Sequence, residues 1–183
     1  MQHLLVTQDF LPDLSGAARR HVALARRYPE PMSVSTVEAA DHARHDARED
    51  YAIERQHIGY RNAPSILSRL RWERWLAERC NGRIHVLHAG DVNVVGRVVW
   101  RTHKRLRIPY VVYVDAGELR RIRERSRRSR LARRTARLVL GDAAGVVATT
   151  ENVATLARDI MKEVGISQPP PVAALGIGAD PET

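Results

Sequence analysis

Short β-branched runs alternate with longer stretches of helical spacing along the chain, and this alternation predicts βαβ units around a parallel sheet. The first predicted strand is His3 to Thr7. After the loop QDFLPDLSG, the segment Ala17 to Tyr28 sets Val22, Leu24 and Ala25 on one side and Arg19, Arg20, Arg26 and Arg27 mostly on the other, as a surface helix does. Met32 to Val37 predicts a second strand and Ile53 to Gly59 a third. The polar, His-rich stretch between them, Glu38 to Asp50, reads as a surface excursion. Pro64 suits the first turn of a helix running to about Cys80, with Ile66, Leu67, Leu70, Trp75 and Leu76 as its apolar face.

Ile84 to His88 predicts the fourth strand. Asp91 or Asn93 can cap a helix that carries Val95, Val98, Val99, Thr102 and Leu106 at core spacing, and Ile108-Pro109 stops it before a strand from Tyr110 to Asp115. A helix to about Leu140, a strand Gly145 to Thr149, a helix Asn152 to Val164 and a short strand Val172 to Leu175 follow. The expected fold is a doubly wound, mostly parallel, Rossmann-like α/β sheet of about seven strands. Residues 1–168 form the domain, and 169–183 hold the last strand and the start of a linker. Ligands of such sheets bind beyond the carboxyl ends of the strands, which singles out the loops Gln8–Gly16, His88–Asp91, Asp115–Glu118 and Thr149–Asn152.

Composition narrows the chemistry. With 183 residues, 44% hydrophobic and 28% charged, the chain has enough apolar material for one domain core. Cys80 stands alone, which excludes an internal disulfide and every multi-cysteine zinc pattern and agrees with a reducing compartment. No window approaches the roughly 18 uninterrupted apolar residues of a membrane span, and the opening MQHLLVTQDF lacks the marks of a signal peptide. The expected location is cytoplasmic. The net charge of +9 resides in one segment: Leu119 to Arg137 holds ten Arg and one Glu, so the rest of the chain is neutral. Arginine outnumbers lysine by 28 to 2 throughout, so only the clustering is informative.

Several reaction classes lack their residues. Lys104 and Lys162, the two lysines, follow no glycine-rich turn, which excludes a P-loop. Gly176-Ile177-Gly178 has no helix after it, which excludes a dinucleotide fingerprint. There is no Gly-x-Ser-x-Gly elbow, and the single cysteine sits on a helix with no adjacent base. Asp41-His42-Ala43-Arg44-His45-Asp46 places two imidazoles three apart, but the neighbouring arginine and the want of a third ligand make it solvated loop rather than a metal site. Trp72, Trp75 and Trp100 read as core before they read as stacking platforms.

The strand-end motifs VTQDFLPD..G...RHVALARR, IHVLHAG, RIPYVVYVDAGEL, GVVATTEN and LGIGADPE together resemble, in order, the amino-terminal domain of retaining glycosyltransferases of the GT-B class, family-four type. The resemblance implies two facing Rossmann-like domains, acceptor contacts from the first and nucleotide-sugar contacts from the second. The chain then corresponds to the first, with LGIGADPE at the crossing to an absent carboxy-terminal, donor-binding domain. It implies a hexosyltransferase-type enzyme in which this chain alone is inactive. No metal or cofactor is expected in this chain, a nucleotide-sugar donor serves the complete enzyme, and the acceptor is a lipid-linked or soluble hydroxyl.

Carried onto this sequence, the resemblance places Gly16 at the first of a glycine doublet whose second member is Ala17 here. It places His88 at a family histidine after strand four and Glu118 at an acidic position after strand five. Asp115 stands where the family commonly has a histidine that contacts the transferred sugar; a carboxylate accepts hydrogen bonds where an imidazole can donate. Asp115, Glu118 and His88 are thus the expected catalytic set, with Gly16, Ala17, Gly117, Thr150 and Glu151 the expected substrate-binding set. Each also has a plain structural reading as a helix cap or a satisfied strand-end residue.

From Arg123 to Arg130 no residue is hydrophobic. Arg120, Arg121, Arg123, Arg125, Arg127, Arg128 and Arg130 read either as a solvated helix or as a surface for an anionic partner. The resemblance favours an anionic membrane surface, where each nearby Arg contributes about 1 kcal/mol. RNA is the weaker partner, since aromatics make up 5% of the chain and none lies in the segment. The competing function is therefore a non-catalytic, anionic-lipid or RNA binding α/β module using 119–137.

Overall fold

The computed structural model describes residues 1–57 and 66–175. Its strands are β1 (His3–Val6), β2 (Met32–Val37), β3 (Ile53–Gln56), β4 (Val86–Ala89), β5 (Tyr110–Val114), β6 (Gly145–Ala148) and β7 (Val172–Ala174). The helices are α1 (Gly16–Arg27), α2 (His42–Asp46), α3 (Ile66–Cys80), α4 (Val94–Leu106), α5 (Ala116–Arg128), α6 (Arg130–Gly141) and α7 (Glu151–Val164). The order β3-β2-β1-β4-β5-β6-β7 makes a seven-stranded sheet, the doubly wound Rossmann-like architecture expected from the sequence. The chain packs as two compact units, one ending at Tyr110 and one beginning at Val111.

In the first unit β1 lies between β2 and β4, with Leu5 opposite Val34 on one side and His88 on the other, all parallel. Every residue of β1 is buried, as a central parallel strand covered on both faces must be. Phe10, Val22, Ala25, Met32 and Val34 close one layer with Leu5, and Tyr51 and Ile53 pack at its margin. Trp72, Leu76, Cys80, Val95, Val98 and Val99 are buried from α3 and α4. In the second unit β5, β6 and β7 pair in parallel. Leu119, Ile122, Val139, Leu140, Ala157, Ile160 and Met161 bury the inward faces of α5, α6 and α7.

Three sequence expectations are corrected. The apolar face predicted for α3 is turned the wrong way at its start: Ile66, Leu67 and Leu70 are exposed, and the buried residues are Trp72, Leu76, Ala77 and Cys80. The stretch Glu38–Asp50 is a surface excursion as expected, with no buried residue, and it is tied down where Asp46 takes the Arg55 guanidinium at 2.6 and 2.7 Å and Glu49 takes that of Arg26 at 2.6 and 2.9 Å. The arginine-rich helix is two helices, because Ser129 leaves α5 in extended conformation (φ −138°, ψ 118°) and caps α6 by accepting from the Ala132 N–H. Finally, β4 ends at Ala89 rather than His88. The predicted helix start at Pro64, the end of the third strand at Gly59 and the linker from Gly176 lie outside the described residues.

Candidate functional site

The strand order reverses at β1, and the loops that leave the carboxyl ends of β1 and β4 lie side by side in the first unit. Thr7, directly after β1, is buried. Its Oγ1 accepts from the Asp9 N–H at 3.1 Å and lies 2.9 Å from His21 Nδ1. The same Nδ1 is 2.9 Å from the Asp9 carbonyl, which can only accept, so the proton of a neutral His21 resides on Nδ1. Gly90 closes this corner from the β4 side. Its N–H donates to the Val6 carbonyl at 2.9 Å, and a Cβ there would lie 2.8 Å from both Thr7 Oγ1 and His21 Cε1. No other residue fits at that approach.

Asp91 follows, half-buried, and its Oδ1 accepts from the Val94 and Val95 N–H groups at 2.9 and 3.1 Å, so it is the residue that caps α4. Burial pushes the Asp91 carboxyl up to about 6, and the charge of Asp9 adds to the rise against the backbone N–H groups that oppose it. Asp13 organises the other loop by accepting from the Ser15 N–H at 2.9 Å, and Ser15 caps α1 through the Ala18 N–H at 3.2 Å. Gly16 opens α1 and is exposed, with no atom within 4 Å of where a Cβ would stand. No contact within the protein therefore demands glycine there. Ala17, beside it, is partly buried.

His88 occupies a different place from the one the sequence suggested. It lies inside β4, 1% exposed, with Nε2 2.9 Å from His3 Nδ1 and its ring edge-on to Tyr28 at 5.1 Å. Burial, and then the neighbouring His3, push His88 down to about 3, so it is a neutral packing group there rather than a residue of the strand-end loops.

In the second unit the loops after β5 and β6 also share an edge, Val114 standing opposite Ala148 and the Thr149 N–H donating to the Val114 carbonyl at 3.3 Å. Asp115 caps α5, its Oδ1 accepting from the Glu118 N–H at 2.8 Å. Glu118 is buried at 6% exposure in the first turn. Gly117 is exposed and tight, since a Cβ would sit 3.3 Å from Asp115 Oδ1 and 3.5 Å from Arg121 Nη1. That places a guanidinium beside the carboxylate loop. Thr150 caps α7 through the Val153 N–H at 3.3 Å, and Glu151 is exposed and accepts from Arg158 at 3.1 Å.

The structure thus gathers Asp115, Gly117 and Glu118 at one loop with Thr150 and Glu151 on the neighbouring one, and Gly16 and Ala17 at the corner of the first unit. Sequence reasoning did not find His21 and Gly90 as partners of Thr7. Their link is a contact between a helix and a distant strand end, with no local motif to announce it. Among the described residues no group of three or more His, Cys, Asp or Glu side chains gathers closely enough to hold a metal ion. Among the same residues no helix is long and apolar enough to cross a membrane.

No family model and no curated protein matches the chain. Solved structures do. Anabaena Alr3699/HepE in complex with UDP and glucose is similar over 96% of this chain and 45% of that one, with TM-score 0.66 and 16% identity. Arabidopsis thaliana UGT89C1 complexed with UDP-L-rhamnose is similar over 96% of this chain and 51% of that one, with TM-score 0.60 and 10% identity. A glycosyltransferase from Rickettsia africae ESF-5 matches over 84% and 38%, with TM-score 0.55 and 12% identity. The fold is accordingly a Rossmann-like α/β domain of the kind glycosyltransferases carry. The chain spans about half the length, or less, of the structures it resembles.

Proposed function

We propose that this chain is the amino-terminal, acceptor-side domain of a retaining glycosyltransferase of the GT-B class, family-four type, moving a sugar from a nucleotide-sugar donor to a lipid-linked or soluble hydroxyl acceptor. The observation that carries this reading is the corner where the strand order reverses: the β1 and β4 loops lie together there, and the start of α1 at Gly16 stands exposed beside them. Structural neighbours with UDP, glucose or UDP-L-rhamnose bound support the donor class. In this reading the backbone N–H groups at Gly16 and Ala17 receive phosphate or sugar oxygens. Asp115 and Glu118 supply carboxylates, the Arg121 guanidinium offers neutralising charge, and positioning does most of the work.

The donor-binding half belongs to a second domain, so the isolated chain transfers no sugar. Incubation of the purified 183-residue protein with labelled nucleotide sugars and candidate acceptors tests this. Turnover by this chain alone overturns the half-enzyme reading. Transfer that appears only when the protein includes a downstream α/β domain, and that Gly16→Val abolishes, supports it.

A second reading is supported by the exposure of Arg120, Arg121, Arg125, Arg127, Arg128 and Arg130 together with Leu131, which is 66% exposed. In it the α5–α6 turn holds the domain peripherally at an anionic membrane. Flotation with anionic vesicles at low and high salt checks it, and failure to float at low salt refutes it.

A further inference from the structure

We propose that the half-open pocket between α5, α6 and α7 in the second unit is a binding site for a phosphate monoester, separate from the strand-end loops. The cavity has a volume of about 290 Å³ and is lined by Arg123, Ser126 and Arg127 from α5, Arg133 from α6, and Ile160, Glu163 and Val164 from α7. Arg123 lies with its fork against Glu163, Nε 2.9 Å from Oε2 and Nη2 on Oε1. Arg133 Nη2 donates to the Glu163 carbonyl at 2.9 Å. The Arg123 hydrogen bond, with the charge of Arg127 behind it, holds the Glu163 carboxylate below its ordinary range. One carboxylate therefore faces three guanidiniums, and the lining keeps an excess of positive charge.

The second observation is Ser126. Its Oγ is buried against the cavity and has no hydrogen-bond partner. A buried hydroxyl left unpaired is destabilising, and native structures generally avoid one. Arginines near the carboxyl ends of α5 and α7 offset the negative helix ends, and that accounts for Arg127 in the last turn of α5 and for Arg133 on the end of α7. It does not account for the unsatisfied hydroxyl beside them. A phosphate monoester answers it, since it carries about −1.5 to −2 charge and three acceptor oxygens for guanidinium and hydroxyl donors. Ile160 and Val164 give an apolar wall for the carbon attached to the phosphate. The phosphate has two sources of the same chemistry, a soluble metabolite or a lipid headgroup.

The test uses the full chain at fixed ionic strength. Inorganic phosphate and glycerol 3-phosphate are titrated against equal sodium chloride while the melting temperature and the heat of binding are followed. A saturable rise is expected. Arg127→Gln should weaken it at least about tenfold and Ser126→Ala about fivefold. Arg48→Gln, exposed in the first unit and outside the pocket, should leave it unchanged. Should Arg127→Gln fail to fold, Ser126→Ala carries the same comparison. No saturable response, or one that neither cavity variant alters, overturns the proposal.

Vesicles containing phosphatidic acid, a monoester, are compared with phosphatidylglycerol vesicles of matched charge. A preference for phosphatidic acid that Arg127→Gln removes identifies the lipid source. Equal retention on both overturns that source and assigns the site to the soluble phosphate.

Discussion

His88 and His3 sit in the middle of the sheet with one hydrogen bond of 2.9 Å between them, and acidification should find them first. The charged groups around the pair are few: Glu30 lies 3.5 Å from His3 Nε2, the amino terminus pairs with Glu30, and the Tyr28 ring covers both imidazoles. His88 titrates at about 3 in the fold against 6.5 in an unfolded chain, burial being the larger cause. Above pH 6.5 both states are neutral and the residue is silent. As pH falls through 6.5 the unfolded chain takes up a proton that the folded one refuses, so stability is lost downward from there. The loss is about 2 kcal/mol at pH 5 and about 3 kcal/mol at pH 4. His3, also lowered chiefly by burial, adds to it in the same direction.

Asp91 works oppositely, because a carboxyl raised to about 6 gains its proton in the folded state first and so favours folding as pH falls below 6. A comparison of wild type with His88→Gln removes this term, since Asp91 is common to both. Glutamine keeps a hydrogen-bonding group for His3 and cannot titrate. Urea unfolding followed by circular dichroism at pH 7.5, 6 and 5 should show wild type losing about 2 kcal/mol more than the variant over that range. Parallel losses would refute the buried, neutral imidazole and with it the placement of His88 away from the loops.

The remaining predictions concern packing. Gly90→Ala forces a methyl to within 2.8 Å of Thr7 Oγ1 and His21 Cε1 and should cost about 1–3 kcal/mol by urea titration; wild-type stability would mean that the two loops part freely. Arg55 is 5% exposed at its side chain, paired with Asp46, and donates to the Leu11 and Val37 carbonyls at 2.6 and 3.0 Å. Arg55→Ala should therefore cost about 3–5 kcal/mol, and a loss under about 1 kcal/mol would show that these bonds are solvated in practice. Cys80 is buried and its thiol is pushed up to about 12 by that burial. A chromogenic disulfide reagent at pH 8 should label it only as fast as the chain unfolds, and labelling of native protein at free-thiol rates would contradict its place in the core.

Much of the fold was legible because parallel strands buried on both faces read as apolar runs, as in LLV of β1 and VVA of β6. The helix α3 was misread for a definite reason. Its sequence ILSRLRWERWLAERC spreads apolar residues around most of the helix, from Ile66, Leu70 and Leu67 through Trp75 to Trp72, Leu76 and Cys80. Periodicity alone cannot say which side meets the sheet; that choice falls to long-range contacts such as the Trp72 indole N–H reaching Ser35 Oγ at 3.4 Å. The break at Ser129 was legible in principle, since serine is a preferred cap, but ten arginines between Leu119 and Arg137 hid it inside one charge pattern.

Asp115 shows how the same residue can be found for one reason and held for another. The sequence marks it as a departure from a histidine, and the fold uses it at once as the cap of α5, with Oδ1 occupied by the Glu118 N–H at 2.8 Å and the exposed Gly117 packed close against that oxygen. A histidine caps a helix less well than aspartate, so relative to the resembling family's histidine Asp115 would give a stronger helix start and an acceptor in place of a potential donor. The Arg121 guanidinium, one helical turn after Gly117 and 3.5 Å from where a Cβ on that glycine would stand, restores donors at the same loop. In the proposed enzyme the role that imidazole fills in the resembling family then divides between two side chains: Asp115 fixes the loop, and Arg121 meets the anionic or hydroxyl-bearing ligand.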